Sequence, residues 1–462
     1  MLIRFSVENF LSFDKKQEFK LIPGKSKTKQ SHITTINGVD LLKLGTIYGA
    51  NASGKSNFVE AARFVKHCVL QEIPRTKKIY CRTVPGNEEK VSNFDFEFSK
   101  NGKFYAYGFS VITEKRCVTQ EWLYELLPSE NKQKVIFERV IADKYFSCEL
   151  DLTSESKNRI TIYGEDSLDN SSALFLNEIN RGKPLEQYPD LKVFQDIYNW
   201  FKDNLTIIRP QDSITEFDSF YGDDEDSKIN KILSIFDTGI SKIKVKEITV
   251  KTFIETIDNR EFAEMILDDF NDKLIENEKR GEGEKVLRLS LKTPDAFFNI
   301  SAKYGEEPKI TTIKLEHGVE GVEFNFGEES DGTRRLFDLL DILINTKEET
   351  VYIIDELDRS LHPKLTYEFV RLFIDLLAKK RVQLVFTTHE SIIMDQELLR
   401  RDEVWFVERD NNTSILFSLD RFKERYDKKI NKSYLEGRYG GIPIFKKLDF
   451  NKGDKMNGAE RV

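Results

Sequence analysis

Residues 49–56 read Gly49-Ala-Asn-Ala-Ser-Gly-Lys-Ser56, a complete G-x-x-x-x-G-K-S, and this octet restricts the fold more than anything else in the chain. Such a loop turns successive backbone N–H groups inward and hands the chain directly to a helix, so that an anion sits where the amides and the helix dipole converge. It therefore needs a strand before it and a helix after it. Leu44 to Tyr48 is a short apolar run that stops at Gly49. From Ser56 onward Phe58, Ala61, Ala62, Val65, Cys68 and Val69 recur on one helical face. Glycines at 49 and 54 let the backbone turn around the anion, Lys55 reaches the β- and γ-phosphates, and the Ser56 hydroxyl is placed for Mg²⁺. Asn51, Ser53 and Asn57 complete the candidate nucleotide-binding set. The fold class this predicts is α/β, of the P-loop NTPase type.

Other segments belong with that loop. Val351 to Ile354 ends in Asp355 and Glu356, which describes a buried strand delivering carboxylates to the edge where ligands bind in an open α/β sheet. Asp355 would hold Mg²⁺ through water, and Glu356 would polarise an attacking water. Val382 to His389 is another apolar strand ending in a polar side chain, and His389 follows Glu356 by 33 residues, as a γ-phosphate sensor would. Glu329-Ser-Asp-Gly-Thr-Arg334 leads into a helix with Leu336, Leu339, Leu340 and Leu343 on one face. Ser330 and Gly332 at that helix start make a second anion site; in isolation Ser330 or Asp331 would be an ordinary N-cap. One nucleotide already has its phosphate loop, so the second site invites ATP held by another subunit.

The rest of the chain narrows the class. Of its 462 residues 39% are apolar and 32% charged, with a net charge of −8, so no global basic character points to nucleic acid. The longest apolar runs are far short of the roughly 18 residues a membrane span needs, and Met1-Leu-Ile-Arg4 does not read as a secretory leader. The cysteines at 68, 81, 117 and 148 match neither a zinc pattern nor a disulfide framework. A cytoplasmic globular protein with no membrane partner is expected. Leu2 to Val7 and Phe19 to Ile22 read as strands, and Asn101-Gly102 between two alternating runs reads as a hairpin turn. Between 170 and 285 the pattern is helical, polar and acidic, with an acidic loop at Asp223 to Asp226. The expected organisation is an N-terminal, β-rich part of the ATPase core over 1–150, a mainly helical insertion over 151–290, and the C-terminal part of the core over 291–462.

The order of these motifs resembles that of ABC-type ATPase heads, in the prokaryotic branch related to structural-maintenance-of-chromosomes proteins and to overcoming-lysogenization-defect ATPases. Glu8-Asn-Phe-Leu-Ser-Phe13 looks like the first strands of that branch, residues 49–57 like its Walker A, and Asp355-Glu-Leu-Asp-Arg-Ser-Leu-His-Pro363 like its Walker B running into the D-loop. Tyr434-Leu-Glu-Gly-Arg-Tyr-Gly-Gly-Ile-Pro443 resembles the ends of stand-alone ATPases in abortive-infection and phage-defence operons. The resemblance covers both ends of the chain and little of its middle. It implies that Lys55 and Ser56 bind phosphate and magnesium, that Asp355 supports the metal, that Glu356 is the catalytic base and His389 the switch histidine. Ser330 and Gly332 would close on the other subunit's nucleotide, with Asp358 at the dimer seam. The signature departs from the family by reading Glu-Ser-Asp-Gly-Thr in place of Leu-Ser-Gly-Gly-Gln.

What this implies is an ATPase with ATP and Mg²⁺ as its ligands, a homo-oligomer built on head dimers that sandwich ATP, and a signal to a separate effector in bacterial anti-phage defence. That effector is expected to be a nuclease on another chain, because the 73 residues after His389 are fewer than the ~100 of a usual domain and hold no Asp-x-Asp pair, Cys or His. The alternative is a repair- or recombination-type ATPase acting on DNA directly, to which the basic run Arg421 to Lys432 would contribute.

Overall fold

The structure is a computed structural model. It describes residues 1–26, 28–181, 185–212, 228–257, 259–279, 281, 283, 285–293, 296–318, 322–422, 430–436 and 438–439. The acidic loop at 223–226 and most of the basic run at 421–432 lie outside them. Among the described residues no helix is long and apolar enough to cross a membrane. Contacts divide the chain into two units, one of Leu2–Asp203 with Val385–Val462, the other of Asn204–Leu384 with Met1. The sequence boundaries at 150 and 290 therefore each fall inside a unit.

The first unit holds a seven-stranded antiparallel sheet in the order Tyr145–Cys148, Lys132–Val140, Cys117–Leu127, Lys103–Ile112, Ser92–Lys100, Leu2–Glu8, Gln17–Lys20. Asn101 and Gly102 both take positive φ, 53° and 80°, the conformation a tight hairpin turn needs, and Lys100 pairs with Lys103 across it. Phe94, Phe96 and Phe98 are buried, while Asp95 and Glu97 between them are not fully so. That period of two turns the aromatic rings to one face. The helix Lys55–Leu70 lies on this face. Its expected stripe (Phe58, Ala61, Ala62, Val65, Cys68 and Val69) is buried throughout, with the Phe58 ring 5.3 Å from both Phe5 and Phe19. Trp200 stacks on Phe98 at 4.0 Å.

A second layer of this unit is parallel. Leu44–Tyr48, buried at every position, pairs parallel with Val404–Asp410, with Thr46 opposite Val404 and Tyr48 opposite Phe406. Strands covered on both faces read as unbroken apolar runs, which is how these appear in the sequence. Thr413–Ser418 then pairs antiparallel outside Val404–Asp410, so that strand is not the last of the sheet.

The helices Ser154–Asp169, Phe175–Arg181 and Lys192–Asn199, read from sequence as part of the insertion, belong by contacts to this unit. The buried Arg139–Glu121 pair holds the first two of these. Arg139 donates to the carbonyls of Ser167, Asn170 and Ala173, and Glu121 accepts from the N–H groups of Phe175 and Leu176. Glu121 thereby satisfies the open amides at the start of the helix Phe175–Arg181.

In the other unit the strands Leu205–Ile208 and Val351–Ile354 run parallel, with Ile208 opposite Ile354. Beyond them an antiparallel sheet is ordered Ile240–Ile248, Lys309–His317, Phe297–Ala302, Leu287–Lys292. The helices Val250–Thr256 and Arg260–Lys279 cover it through Phe253, Ile266 and Phe270 against Phe298 and Ile300. The stretch expected to be mainly helical over 151–290 thus also contains strands. Ile240-Ser-Lys-Ile-Lys-Val-Lys-Glu-Ile248, inside the stretch expected to be helical, is a strand with lysines at alternate positions. Two other strands supply the countercharges: Lys244 pairs with Glu316 on the neighbouring Lys309–His317, and Lys246 Nζ lies 2.5 Å from Glu323 on Glu323–Asn325.

Candidate nucleotide site

The phosphate loop follows the buried strand Leu44–Tyr48 without a break, and its geometry explains its glycines. Gly54 is the N-cap of the helix at φ +114°, a conformation that L side chains rarely adopt. A Cβ there would sit 2.4 Å from Ser414 Oγ and 2.7 Å from Ser12 Oγ. At Gly49 a Cβ would meet the Val407 carbonyl oxygen at 2.4 Å. Asn57 Nδ2 donates to Ser12 Oγ at 2.7 Å, Ser12 Oγ is 2.7 Å from Ser414 Oγ, and Ser414 Oγ donates to the Ser53 carbonyl at 2.5 Å. The back of the loop is thus fastened to the Phe10–Phe13 turn and to the strand Thr413–Ser418. Sequence reading missed Ser12 and Ser414 as parts of the site. Ser12 lies in the Glu8–Phe13 segment already quoted, whereas nothing local marks Ser414.

Lys55 is 5% exposed, and its ammonium is turned onto its own loop, donating to the carbonyls of Gly49 at 2.8 Å and Ala50 at 3.1 Å. His389 Nδ1 lies 3.4 Å from the same Nζ. The structure therefore brings together two of the candidate residues that are 334 positions apart in sequence. Asn51 and Ser56 are exposed and Ser53 is buried, its Oγ without a hydrogen bond among the described residues. Beside the loop a cleft of about 290 Å³ is lined by Ala52, Asn57, Lys78, Tyr80, Arg82 and Arg409, among others. A cationic cleft continuing from an amide-lined turn suits an extended anionic ligand, and a buried unfilled hydroxyl on the turn fits phosphate oxygens.

In the other unit, Val351–Ile354 delivers Asp355, which is 5% exposed and whose N–H donates to the Ile208 carbonyl at 2.9 Å. Glu356 follows, half-buried, at φ +49°, and Ser360 has φ +61°. Two backbone bonds, Arg359 N–H to the Glu356 carbonyl and Leu361 N–H to the Asp358 carbonyl, close the turn. Non-glycine residues in the left-handed region cost about 1–3 kcal/mol each and persist where the surroundings over-determine them. His362 caps the helix Pro363–Leu376 by accepting from the Lys364 N–H.

Ser330 caps the helix Asp331–Asn345, its Oγ accepting from the Thr333 N–H at 3.1 Å. Gly332 faces the Asp358–Ser360 turn so closely that a Cβ would lie 2.7 Å from the Ser360 carbonyl oxygen. The candidate signature residues and the residues after Glu356 thus meet inside one unit, and glycine at 332 is needed for that approach. Among the described residues no group of three or more His, Cys, Asp or Glu side chains is placed to hold a metal by protein ligands alone.

No curated protein sequence matches this chain. Solved structures that resemble it include a structural-maintenance-of-chromosomes head bound to the C-winged helix domain of ScpA, at 12% identity and TM-score 0.41 over 91% of this chain and 99% of that one. Another is the head domain from Thermotoga maritima, at 14% and 0.34 over 90% and 98%. A third is a head with an extended coiled coil bound to the C-terminal domain of ScpA, derived from Pyrococcus furiosus, at 12% and 0.35 over 91% and 97%. The family model described as "AAA domain, putative AbiEii toxin, Type IV TA system" matches residues 46–395, from the strand before the phosphate loop to beyond His389. With well over half of its length so matched, the chain belongs to this family of AAA domains described as putative AbiEii toxins.

Proposed function

We propose that this chain binds and hydrolyses ATP with Mg²⁺, and that ATP-driven dimerisation signals to or holds a separate effector, a nuclease, in bacterial anti-phage defence. The observation that carries the ATPase reading is the loop itself. A glycine at φ +114° opens the helix, and a buried lysine is held on the loop carbonyls beside His389, ready to be lifted onto phosphate oxygens. Gly49, Asn51, Ser53, Gly54 and Lys55 would cradle the phosphates. Asn57 and the cationic cleft would take the remainder of the nucleotide.

Ser56 and Asp355 would hold the magnesium, Asp355 through water. With so few protein ligands the ion would be shared with the phosphates, as Mg²⁺ commonly is. Its chemistry would be to neutralise charge developing on the phosphoryl oxygens. Glu356, turned out of the strand at φ +49°, would act as base toward the attacking water, and His389 would contact the γ-phosphate. Ser330, Gly332 and Asp358 would face the nucleotide of a second copy, which makes hydrolysis the event that releases the pair. The defence role is supported by the family description alone, and a cytoplasmic location accords with it.

The test is the solution mass of the Glu356→Gln chain, with and without Mg-ATP, alone and co-expressed with the product of a neighbouring gene. ATP-dependent doubling of mass with no turnover is expected, together with a nucleotide-sensitive complex with the neighbour. Undiminished hydrolysis would move the base elsewhere. Salt-sensitive DNA binding by an ATP dimer that ignores the neighbour would replace the defence reading with the repair one.

A further inference from the structure

Arg335, five residues into the helix Asp331–Asn345, is the charged group whose placement is hardest to explain by folding alone. It is 7% exposed, and its Nε, Nη1 and Nη2 are buried with no hydrogen bond among the described residues. The protein shows elsewhere how it buries an arginine for structure: the Nη atoms of Arg139 reach Glu121 and the carbonyls of Ser167, Asn170 and Ala173. Arg335 has no such set. A guanidinium stays charged in a protein, so burying one without hydrogen bonds is among the costliest arrangements a fold can keep.

What surrounds it is charge. Burial lowers the affinity of Arg335 for its proton, Asp338 on the next turn opposes that, Arg359 adds to it, and Asp212 and Glu356 oppose it. Glu356 and Arg359 bracket the turn whose Ser360 carbonyl presses against Gly332, three residues before Arg335. The helix that begins at Ser330 and the turn that carries Glu356 therefore meet at two places, one steric and one electrostatic. Of the two backbone outliers of that turn, Ser360 makes the steric approach and Glu356 acts on Arg335 through charge.

We infer that Arg335 is a positioning residue for Glu356: its buried guanidinium holds the carboxylate turn in place from the helix side, and its open donors are taken up by that turn when nucleotide is bound. The inference rests on the reading of Glu356 as the base. It explains why the chain keeps a buried cation that does nothing visible for stability, the trade expected where a strained arrangement serves turnover. It also gives the departure from the usual signature a use, since the residues after Gly332 carry function within their own subunit.

The experiment measures Mg-ATP hydrolysis and thermal melting of the full chain for Arg335→Met, Arg335→Lys and Glu356→Gln. For Arg335→Met the inference expects kcat down by roughly 10- to 100-fold with KM for ATP unmoved, the size of effect expected when a reacting group is misplaced by about an ångström. Melting should be unchanged or raised, because an unpaired buried charge has been removed. Arg335→Lys, which keeps the charge without the planar fork, should recover part of the loss. The Arg335→Met/Glu356→Gln double variant should be no slower than Glu356→Gln alone. A kcat for Arg335→Met within twofold of wild type, while Glu356→Gln is inactive, overturns the inference and leaves the base assignment standing. An active Glu356→Gln overturns the base assignment itself. Should Arg335→Met fail to fold, Arg335→Lys carries the test, and wild-type kcat in it overturns the inference.

Discussion

Replacing Gly54 by alanine tests whether the loop works as its geometry requires. The added methyl meets two separate costs. Holding a non-glycine residue at φ +114° costs about 1–3 kcal/mol. The Cβ would also lie 2.4 Å from Ser414 Oγ and 2.7 Å from Ser12 Oγ, closer than real contacts allow. Neither hydroxyl is free to move: Ser414 bonds the Ser53 carbonyl, Ser12 bonds Ser414, and Asn57 bonds Ser12. Displacing them breaks one or two hydrogen bonds at about 1 kcal/mol each. The sum is roughly 2–5 kcal/mol, and at 1.4 kcal/mol per decade it corresponds to a loss of about 30- to 3,000-fold in affinity if it falls on the binding conformation of the loop. Calorimetric titration of Gly54→Ala with a non-hydrolysable ATP analogue and Mg²⁺ measures this, with a thermal melt alongside to show that the rest of the fold survives. Adding Ser414→Gly removes two of the three nearest clashing atoms, Ser414 Oγ and Cβ, and should restore part of the affinity, leaving the φ term and the Ser12 contact. Affinity within threefold of wild type in Gly54→Ala would refute the reasoning, because the loop would then have relaxed at no cost.

Other expectations are simpler. Lys55→Ala should remove nucleotide binding, read by the same titration, and retained ATP affinity would overturn the phosphate-loop assignment. Gly332→Ala drives a Cβ to 2.7 Å from the Ser360 carbonyl, a backbone atom that cannot step aside; about 1–3 kcal/mol of destabilisation is expected by denaturant unfolding, and an unchanged midpoint would show the helix shifting freely. On the Leu2–Glu8/Gln17–Lys20 strand pair, Lys20, then Lys16 and Arg4, hold the Glu18 carboxyl down at about 2 against partial burial. A folded pKa below the ordinary one near 4.5 means this contribution is complete above that pH and is lost as pH falls toward 2. Glu18→Gln should therefore cost less than about 1 kcal/mol at neutral pH, given its exposure, and most of that cost should be gone at pH 2. A cost that does not change between those two pH values would contradict it.

Much of the architecture was legible because it is carried by short-range periodicity. Leu44–Tyr48 and Val351–Ile354 are apolar runs at the length of buried strands, and they are strands over those residues. The Phe58 to Val69 stripe is a helix, as its spacing predicted, and Arg260–Lys279 is a helix inside the stretch whose pattern reads as helical. The middle was harder. Ile240–Ile248 has a strand's alternation, but its lysines are neutralised by Glu316 and Glu323 from other strands, and one-dimensional reading has no access to those partners. The helices of 154–181 look like an insertion in sequence because their anchor is Arg139 with Glu121, two buried charges that composition would place on a surface.

The sequence by itself determined that an anion loop exists, where it begins, and which residue types stand at each of its positions, since that loop needs glycine, lysine and serine at fixed offsets between a strand and a helix. It also determined the order in which Asp355, Glu356 and His389 follow strands. Only the tertiary structure decided that Lys55 rests beside His389, that Ser12 and Ser414 close behind Gly54, that Gly332 touches the Ser360 carbonyl, and that Arg335 is buried within the field of Glu356 without a hydrogen bond among the described residues. The physical reason is the range of the interactions. Backbone conformation and hydrophobic period act over a few residues and leave a mark in every window of sequence. Steric exclusion and buried charge act between atoms that folding alone brings together.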